Sequence, residues 1–459
     1  MVALHPVPSD SASLDSSFHD DDLVIALDAD GALRPPGAAA LLEFAADCSA
    51  DAWYGDIDIA GAVTLRSGWS PTRLIADPTA ATPLAVKAGW LRRNETSPAA
   101  RDLALRLVRS GAEVAHVTAV LSSHRTAPVG ASADDLTRHL RAVGLRATVD
   151  DQGRLQPTAD FAATVSIVIP TAGATLEDGA VAIDRLLEQL HPVPARFELV
   201  IVVGDEFRGD PGLLEGPGRV LVRRPPGAFN FSTAVNLGVL HARSDLVLLL
   251  NDDTEPVDCG FVDRMALHLD DESVAAVGAL LTYPDGTVQH AGIVIDDARP
   301  LHPFVGWEPA ATAPHGGLTA RDVAAVTGGC MMLRRTDFLA VGGLSTSFPL
   351  SFNDVDLCVR LRRAVGRIVM EPAATLVHHE TLSREPVISA DEWDRWISRW
   401  GEIVDPWYHP AYDRPDDPNA LARNADHLPP GNDSISVVTA RLPRLRSRVH
   451  RGRPTPVRR

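Results

Sequence analysis

Residues 245–253 read Asp-Leu-Val-Leu-Leu-Leu-Asn-Asp-Asp, an apolar run that ends in polar side chains. The same pattern occurs 223 residues earlier, at residues 22–30, as Asp-Leu-Val-Ile-Ala-Leu-Asp-Ala-Asp. Residues 102–107, Asp-Leu-Ala-Leu-Arg-Leu, likewise return 254 residues later as Asp-Leu-Cys-Val-Arg-Leu at residues 356–361. Two blocks that recur in the same order predict a duplicated domain, in which the later copy carries additional residues between the blocks.

Short apolar runs alternate with helical patterns in the later copy. The strand patterns lie at residues 165–170, 198–203, 220–222 and 246–250, and the helical patterns lie at 180–189 and 233–242. This alternation predicts an α/β fold with a mainly parallel sheet, whose ligands sit at the carboxyl ends of the strands. The first copy has only about 20 polar residues before its strand. We therefore expect it to lack counterparts of the first three strands.

The bulk composition limits the class of protein. A net charge of -17 and a pI near 5.3 argue against nucleic-acid binding, which needs a basic face. The four cysteines form no CxxC pair, so neither a disulfide framework nor a cysteine zinc site is indicated. The start lacks a leader pattern, and no apolar run approaches the ~20 residues of a membrane span. We expect a cytoplasmic protein.

The exception in charge is the end of the chain. Residues 441–459 contain eight arginines and no acidic residue. Such a segment either stays solvated or contacts anionic lipid, which would place the protein peripherally at the inner face of the cell membrane.

Six motifs then resemble, in order, those of family 2 glycosyltransferases. They are residues 165–171, 229–232 with Asn236, 250–253, 327–330, 352–357 and 378–380. The resemblance spans roughly residues 163–410 and is to the rhamnosyltransferase-like branch, which includes tandem-domain proteins of bacterial surface polysaccharide synthesis. It implies a GT-A fold, the Rossmann-like nucleotide-diphospho-sugar transferase fold, and an inverting mechanism.

The resemblance implies a metal site at the end of the strand. Asp253 matches the last carboxylate of the family's DxD motif and would bind Mg²⁺ or Mn²⁺. Asn251 stands where many members have the first Asp, and its amide oxygen can still coordinate. His378 and His379 are further candidate ligands, and the sequence does not decide which of them faces the site. The alternative for such residues is to end a strand, cap a turn or pack in the core.

Asp354 matches the family's general base, which takes the proton of the attacking acceptor hydroxyl. Its alternative role is a helix N-cap. Asp356 is expected to be structural and to pair with Arg360 one helical turn later.

The candidate residues for donor binding come from several segments. They are Pro170, Thr171, Asp205, Asn236, Asp252, Gly328 and Gly329. Many family members have an aspartate directly after the second strand, where this chain has Gly204 before Asp205. Small residues such as Gly328 and Gly329 let a backbone approach a ligand, although a tight turn explains them equally well. Residues 289–292 (Gln-His-Ala-Gly) also recur in the family, without an assigned role.

The first copy fails the same comparison. It keeps an Asp28-Ala29-Asp30 pattern, but Ala100 stands where the later copy has Asp354. We therefore predict an inactive domain that supports its neighbour, binds glycan or forms an assembly surface. After the later copy, Trp393, Trp396, Ile397 and Trp400 mark one apolar helix face. Core or dimer packing is the first explanation for that face, and interfacial membrane binding is the second.

These observations give one organisation and one function. The predicted segments are a disordered start (1–20), a truncated inactive GT-A-like domain (21–127), a linker (128–163), a catalytic GT-A domain (164–385), a helical extension (386–435) and a basic disordered tail (436–459). The predicted function is metal-dependent, inverting transfer from a nucleotide-sugar donor to a surface polysaccharide or lipid-linked glycan acceptor. The alternative is a non-catalytic glycan-binding or scaffolding subunit. The donor sugar, the linkage and the oligomeric state stay open.

Overall fold

The structure is a computed structural model that describes residues 3–8, 17–27, 30–97, 100–151, 153–190, 196–209, 211–312, 317–379 and 388–409. Within these residues the chain forms two main sheets, each with helices beside it. The predicted α/β class is confirmed.

The N-terminal sheet has seven described strands in the order β1-β2-β6-β4-β7-β3, with β5 beside β4. The strands are β1 Leu4–Pro8, β2 Leu23–Leu27, β3 Ala32–Leu33, β4 Ala52–Ile59, β5 Ala62–Thr64, β6 Ala85–Lys87 and β7 Val114–His124. The helices beside it are α1 Pro35–Asp47, α2 Pro71–Ala76, α3 Ala88–Arg93 and α4 Leu103–Ser110.

The C-terminal sheet has ten described strands, in the order β12-β11-β10-β13-β20-β15-β21-β14, with β16 beside β15 and β19 beside β21. Its strands are β10 Val165–Thr171, β11 Phe197–Val203, β12 Arg219–Arg223, β13 Leu246–Leu250, β14 Thr254–Pro256, β15 Val274–Thr282, β16 Val288–His290, β19 Arg321–Val323, β20 Cys330–Arg334 and β21 Arg367–His378. A separate pair is β17 Val294–Asp296 with β18 Arg299–Leu301. The helices are α6 Ala182–Gln189, α7 Phe231–His241, α8 Phe261–His268, α9 Pro309–Thr312, α10 Arg335–Ala340, α11 Asn353–Ala364 and α12 Ala390–Trp400.

The two sheets share one pattern of strand pairing. β1 and β2 pair in parallel as β10 and β13 do, and β4 and β7 pair in parallel as β15 and β21 do. The antiparallel pairs of β6 with β2 and β4 correspond to those of β20 with β13 and β15. This is the pairing expected of a duplicated domain. The C-terminal sheet extends beyond it through β11 and β12, which continue the parallel order from β10.

Strand β1 corrects two expectations from the sequence, because its parallel pairing with β2 also makes it the counterpart of β10, the first of the three strands expected to be missing. Residues 1–20 are predicted to be disordered, yet Leu4–Pro8 forms a strand paired with β2. Pro6 and Pro8 weaken the strand signal, because proline cannot donate to a ladder. β1 lies at the edge of its sheet, where proline is tolerated.

Strand β10 shows why the central strands have continuous apolar sequences. All seven of its residues are buried. Val168 packs into one hydrophobic layer with α7 and α11, whereas Ile167 and Ile169 pack into the opposite layer with α6 and α8. A strand covered on both faces has no solvent-facing side to alternate with.

Residues 128–163 are more ordered than the predicted linker. They form helix α5 Ala133–Ala142 and a hairpin of β8 Ala147–Val149 with β9 Leu155–Pro157. Leu140 and Leu155 lie in a buried cluster with Ile75 and Leu267, one from each half of the chain. The segment therefore bridges the two halves through its own small core.

Helix α12 packs into the core. Trp396 is fully buried, donates its indole N–H to the carbonyl of Ala298 at 2.6 Å, and stacks on Phe352 with ring centroids 5.3 Å apart. The indole of Trp400 donates to Asp356 at 2.9 Å. Core packing thus accounts for the tryptophans. None of the described helices is long and apolar enough to cross a bilayer. Residues 410–459, including the predicted basic tail, lie outside the described residues.

Candidate active site

The turn after β13 places the first polar group of the site. Asn251, Asp252 and Asp253 connect β13 to β14, and the hydroxyl of Thr254 closes this turn on the carbonyl of Asn251 at 2.8 Å. Thr254 then pairs with His378 in the register of β14 against β21. Strand pairing therefore brings a histidine that is 125 positions after Asp253 to the same sheet edge.

Three side chains converge there. Nε2 of His378 lies 3.2 Å from Oδ1 of Asp253 and 3.2 Å from Nδ2 of Asn251. The other ring nitrogen, Nδ1, lies 2.6 Å from Oε1 of Gln289, and the Gln289 amide also donates to the His378 carbonyl at 3.4 Å. Gln289 therefore fixes the ring plane of His378, a role that the sequence comparison left unassigned.

The arrangement fits a divalent cation. With the proton on Nδ1 donated to Gln289, Nε2 of His378 carries a lone pair that faces the carboxylate of Asp253. The facing oxygen, Oδ1, is buried and accepts no hydrogen bond. A lone pair and a carboxylate oxygen at this separation need a proton or a cation between them. The oxygen and nitrogen of the Asn251 amide are assigned from contacts, and rotation would present its oxygen to the same point.

His379 does not join this group. Its Nε2 lies 2.8 Å from Oε1 of Glu255, which also pairs with Arg185 at 3.1 Å. Successive residues along an extended chain point to opposite sides, so adjacent histidines diverge. Of the two histidines that the sequence leaves as candidates, His378 lies beside Asp253 and Asn251, whereas His379 lies in a separate ion-pair group with Glu255.

Asp252 faces the end of β10. It accepts a hydrogen bond from the hydroxyl of Thr171 at 2.5 Å, and that hydroxyl accepts from the backbone N–H of Gly173 at 3.0 Å. Burial, together with the neighbouring charge of Asp253, raises the pKa of Asp252 to about 7. Thr171 and Asp252 therefore lie together at the carboxyl edge of the sheet.

Asp354 lies on the other side of the glycine loop. Its Oδ2 accepts the backbone N–H of Gly328 at 2.9 Å, in the first turn of α11. A Cβ on Gly329 would stand 3.7 Å from both Nδ2 of Asn251 and Cε1 of His378. Gly328 therefore contacts the Asp354 carboxylate, and the next residue, Gly329, faces Asn251 and His378. The two groups lie on either side of this loop. The helix N-cap is Phe352, so Asp354 does not fill that alternative role.

Asp356 behaves as the sequence predicts. It is fully buried and pairs with Arg360 one turn later at 2.7 Å, with Arg399 of α12 at 3.0 Å as a further partner. In the N-terminal half, Asp102 pairs with Arg106 at the same spacing. The repeated sequence block therefore builds the same ion pair twice.

The remaining donor-side candidates have different surroundings. Pro170 is buried in β10 opposite Val202 of β11. Asp205 is exposed in the turn after β11. Asn236 is engaged elsewhere, because its amide oxygen accepts from the backbone N–H of Leu344 and its amide nitrogen donates to the Leu344 carbonyl, both at 2.8 Å. Asn236 therefore holds the loop at Leu344 through both of its polar atoms.

In the N-terminal half, the residues that correspond to Asp253 and His378 make hydrogen bonds with other partners. Oδ2 of Asp30, the counterpart of Asp253, accepts from the backbone N–H groups of Arg125 at 3.1 Å and Thr126 at 3.0 Å. His124, the counterpart of His378, contacts the hydroxyl of Ser122 at 2.8 Å. Asp28 and Ala29 lie outside the described residues. The side chains of Asp30 and His124, which correspond to the candidate metal ligands, are thus hydrogen-bonded to neighbouring groups of the protein.

Comparison with known proteins identifies the segment that carries Asn251, Asp253 and the Gly328-Gly329 loop. Residues 166–341 match the family model "Glycosyl transferase family 2". An uncharacterized protein, y4gI, of Sinorhizobium fredii (strain NBRC 101917 / NGR234) is 30% identical over 358 residues, which cover 67% of this chain and 38% of the relative. The O-antigen biosynthesis protein RfbC of Myxococcus xanthus is 30% identical over 357 residues, covering 70% of this chain and 27% of the relative.

A third relative is shorter. The N-acetylglucosaminyl-diphospho-decaprenol L-rhamnosyltransferase of Mycobacterium tuberculosis (strain ATCC 25618 / H37Rv) is 26% identical over 253 residues, covering 48% of this chain and 79% of the relative. The chain thus spans well under half of y4gI and RfbC, at 38% and 27% of their lengths.

Two solved structures show more distant likeness. One is the mannosyltransferase PcManGT of Pyrobaculum calidifontis in complex with GDP-Man and Mn²⁺, with a TM-score of 0.35, 16% identity, and coverage of 49% of this chain and 59% of that one. The other is GalNAc-T7 with UDP, GalNAc and Mn²⁺, with a TM-score of 0.41, 14% identity, and coverage of 52% and 48%. Residues 166–341, which contain Asn251 and Asp253, thus form a domain of glycosyl transferase family 2, and Asp354 and His378 follow the matched residues on α11 and β21.

Proposed function

We propose that this protein is a metal-dependent, inverting glycosyltransferase that moves a sugar from a nucleotide-sugar donor to a hydroxyl of a surface polysaccharide or lipid-linked glycan. The observation that carries the proposal is the convergence of a carboxylate–imidazole group and a second carboxylate on either side of the Gly328-Gly329 loop. The family match and the relatives named for O-antigen synthesis and rhamnosyl transfer support it.

The residues that would hold the cation are Asp253 and His378, with Asn251 completing the set through its amide oxygen. A bound Mg²⁺ or Mn²⁺ would neutralise the charge that develops on the departing diphosphate. The imidazole ligand favours Mn²⁺, because Mg²⁺ is held mainly by oxygen.

The reaction proposed is a single displacement at the anomeric carbon. The acceptor hydroxyl gives its proton to Asp354 as its oxygen forms the new bond to that carbon. The bond from the anomeric carbon to the phosphate oxygen breaks at the same time, and its electron pair leaves with the nucleoside diphosphate. Attack opposite the leaving group inverts the configuration.

The N-terminal half is proposed to be inactive. Its counterpart of Asp253 is taken up by backbone N–H groups, and Ala100 stands in place of the base. Its sheet also ends at β1, without counterparts of β11 and β12 among the described residues.

The test is donor binding by the purified full chain. UDP-, dTDP- and GDP-sugars are titrated calorimetrically with and without Mn²⁺, for the wild type and for Asp253→Asn. One donor class should bind the wild type with Mn²⁺, and its affinity should fall in the variant or without the metal. If no donor binds at millimolar concentration in any condition, the scaffolding alternative replaces the enzyme.

A further inference from the structure

A second cluster of metal-ligating side chains lies away from the candidate active site. Asp56 is on β4 and His116 is on the adjacent strand β7, whereas His409 belongs to the segment that follows α12. All three are buried, with 2%, 9% and 4% of their surface exposed. The cluster therefore joins the N-terminal sheet to a part of the chain that is 353 residues later than Asp56.

The geometry of the cluster directs three donor atoms at one point. Nε2 of His409 lies 3.1 Å from Oδ2 of Asp56, and Nε2 of His116 lies 3.7 Å from Oδ1 of the same carboxylate. The three ligand atoms all lie within 4.8 Å of one another. Stacking on Tyr54, with ring centroids 4.9 Å apart, sets the plane of the His116 ring.

One of these atoms makes no hydrogen bond. Nε2 of His116 is buried and makes no hydrogen bond. A buried polar atom without a hydrogen bond is costly, so such an atom in a folded protein usually points to a missing ion or water.

We infer that Asp56, His116 and His409 form a binding site for a divalent transition-metal ion, for which Zn²⁺ is the natural probe. Two imidazoles and one carboxylate suit Zn²⁺ better than Mg²⁺ or Ca²⁺, which take oxygen ligands. Tetrahedral Zn²⁺ with ~2.1 Å bonds places its ligand atoms about 3.4 Å apart. The present separations straddle that value, so small side-chain rotations close the site around the ion.

Neighbouring charges set the strength of the site. The backbone N–H of Arg66 donates to Oδ1 of Asp56 at 2.7 Å, which leaves Oδ2 as the oxygen directed at His409. The guanidinium of Arg66 is itself buried near Asp56, and burial lowers its pKa to about 10. A cation next to the cluster makes the site weaker than the same three ligands would be without it.

The position of the site suggests its role. Residues 405–409 contact both halves of the protein, because Asp405 accepts the backbone N–H of Ile295 at 3.0 Å and the indole of Trp407 donates to the carbonyl of Trp69 at 3.0 Å. A metal held by His409 would therefore fasten this segment to the N-terminal sheet. Since the ion would bind only the folded arrangement, it would stabilise the fold by mass action.

The test separates this site from the candidate active site. The full chain carrying Asp253→Asn is stripped with a chelator, loaded with Zn²⁺, desalted and assayed for zinc by mass spectrometry. Co²⁺ loading gives a visible spectrum that reports the coordination. The same measurements are made after adding His409→Gln or His116→Gln, with His139→Gln as the control because His139 is also buried but lies outside the cluster.

Asp253→Asn and the His139→Gln control should each retain about one zinc per chain, and zinc should raise their melting temperature. The variants lacking His409 or His116 should bind at least about tenfold more weakly and lose the thermal shift. The proposal is overturned if folded Asp253→Asn retains no zinc, or if the zinc content is the same after loss of either histidine. The zinc content of folded Asp253→Asn is measured without any histidine variant. The test therefore stays decisive even if His409→Gln or His116→Gln does not fold.

Discussion

Replacing Gln289 with leucine should weaken metal binding at His378, although Gln289 itself would not touch the ion. The amide oxygen of Gln289 lies 2.6 Å from Nδ1 of His378 and fixes which ring nitrogen carries the proton. Gln289 is 7% exposed, so little water is available to take over its role after the change. Losing such an outer partner costs about 10- to 100-fold in metal affinity, or about 1.4–2.7 kcal/mol. Because Gln289 is buried, we expect the loss of metal affinity in Gln289→Leu to lie near the upper end of that range.

The assay is a Mn²⁺ titration of donor binding at a fixed donor concentration. Gln289→Glu serves as the matched variant, because a carboxylate also accepts from Nδ1 and is a common partner of metal-bound histidine. It should retain Mn²⁺ binding, whereas Gln289→Leu should require far more Mn²⁺ for half-saturation. An unchanged Mn²⁺ requirement in folded Gln289→Leu would refute either the orienting role of Gln289 or the place of His378 among the ligands.

Three further predictions concern residues outside the reacting groups. His379→Ala should leave the Mn²⁺ requirement within about threefold of wild type, because His379 pairs with Glu255; a loss as large as the ~10-fold expected for a direct contact would restore His379 as a ligand. Asn236→Ala removes two hydrogen bonds to the Leu344 backbone and should lower the free energy of unfolding by about 1–3 kcal/mol in urea denaturation, while donor affinity is unchanged; a selective loss of donor affinity would contradict this. Asp356→Asn removes a fully buried carboxylate from its pair with the partly buried Arg360 and should cost about 3–5 kcal/mol in the same assay, and a cost near zero would show that the pair is replaceable.

The sequence predicts the elements that depend on local pattern. A continuous apolar run followed by polar residues predicts the buried strand β13 and the turn at Asn251–Asp253, because a strand covered on both faces must end before polar side chains can reach solvent. The pair of Asp356 with Arg360 follows from helical spacing alone. Strand β1 is missed because its two prolines are acceptable only at a sheet edge, and the edge is a property of the assembled sheet.

The surroundings of several candidate site residues depend on contacts between distant segments, which the sequence does not reveal. His378 and His379 are adjacent in the chain, and only the register of β21 against β14 decides which ring faces Asp253. Gln289 reaches His378 because β15 pairs with both β16 and β21. Asn236 has the side chain of a ligand-binding residue, but the loop at Leu344 uses both of its polar atoms. In each case the sequence does not show which side chain or backbone group from a distant segment lies next to the residue.

The role of Asp354 is the central claim, and it is tested most directly by turnover at saturating donor and Mn²⁺. Release of nucleoside diphosphate is compared for wild type, Asp354→Asn and the control Asp285→Asn, whose residue lies in an exposed turn. Asparagine can still accept the Gly328 N–H but cannot take a proton, so kcat should fall about 100- to 10,000-fold with donor affinity unchanged. Asp285→Asn should match the wild type. A fall of less than about tenfold in Asp354→Asn would contradict its assignment as the general base.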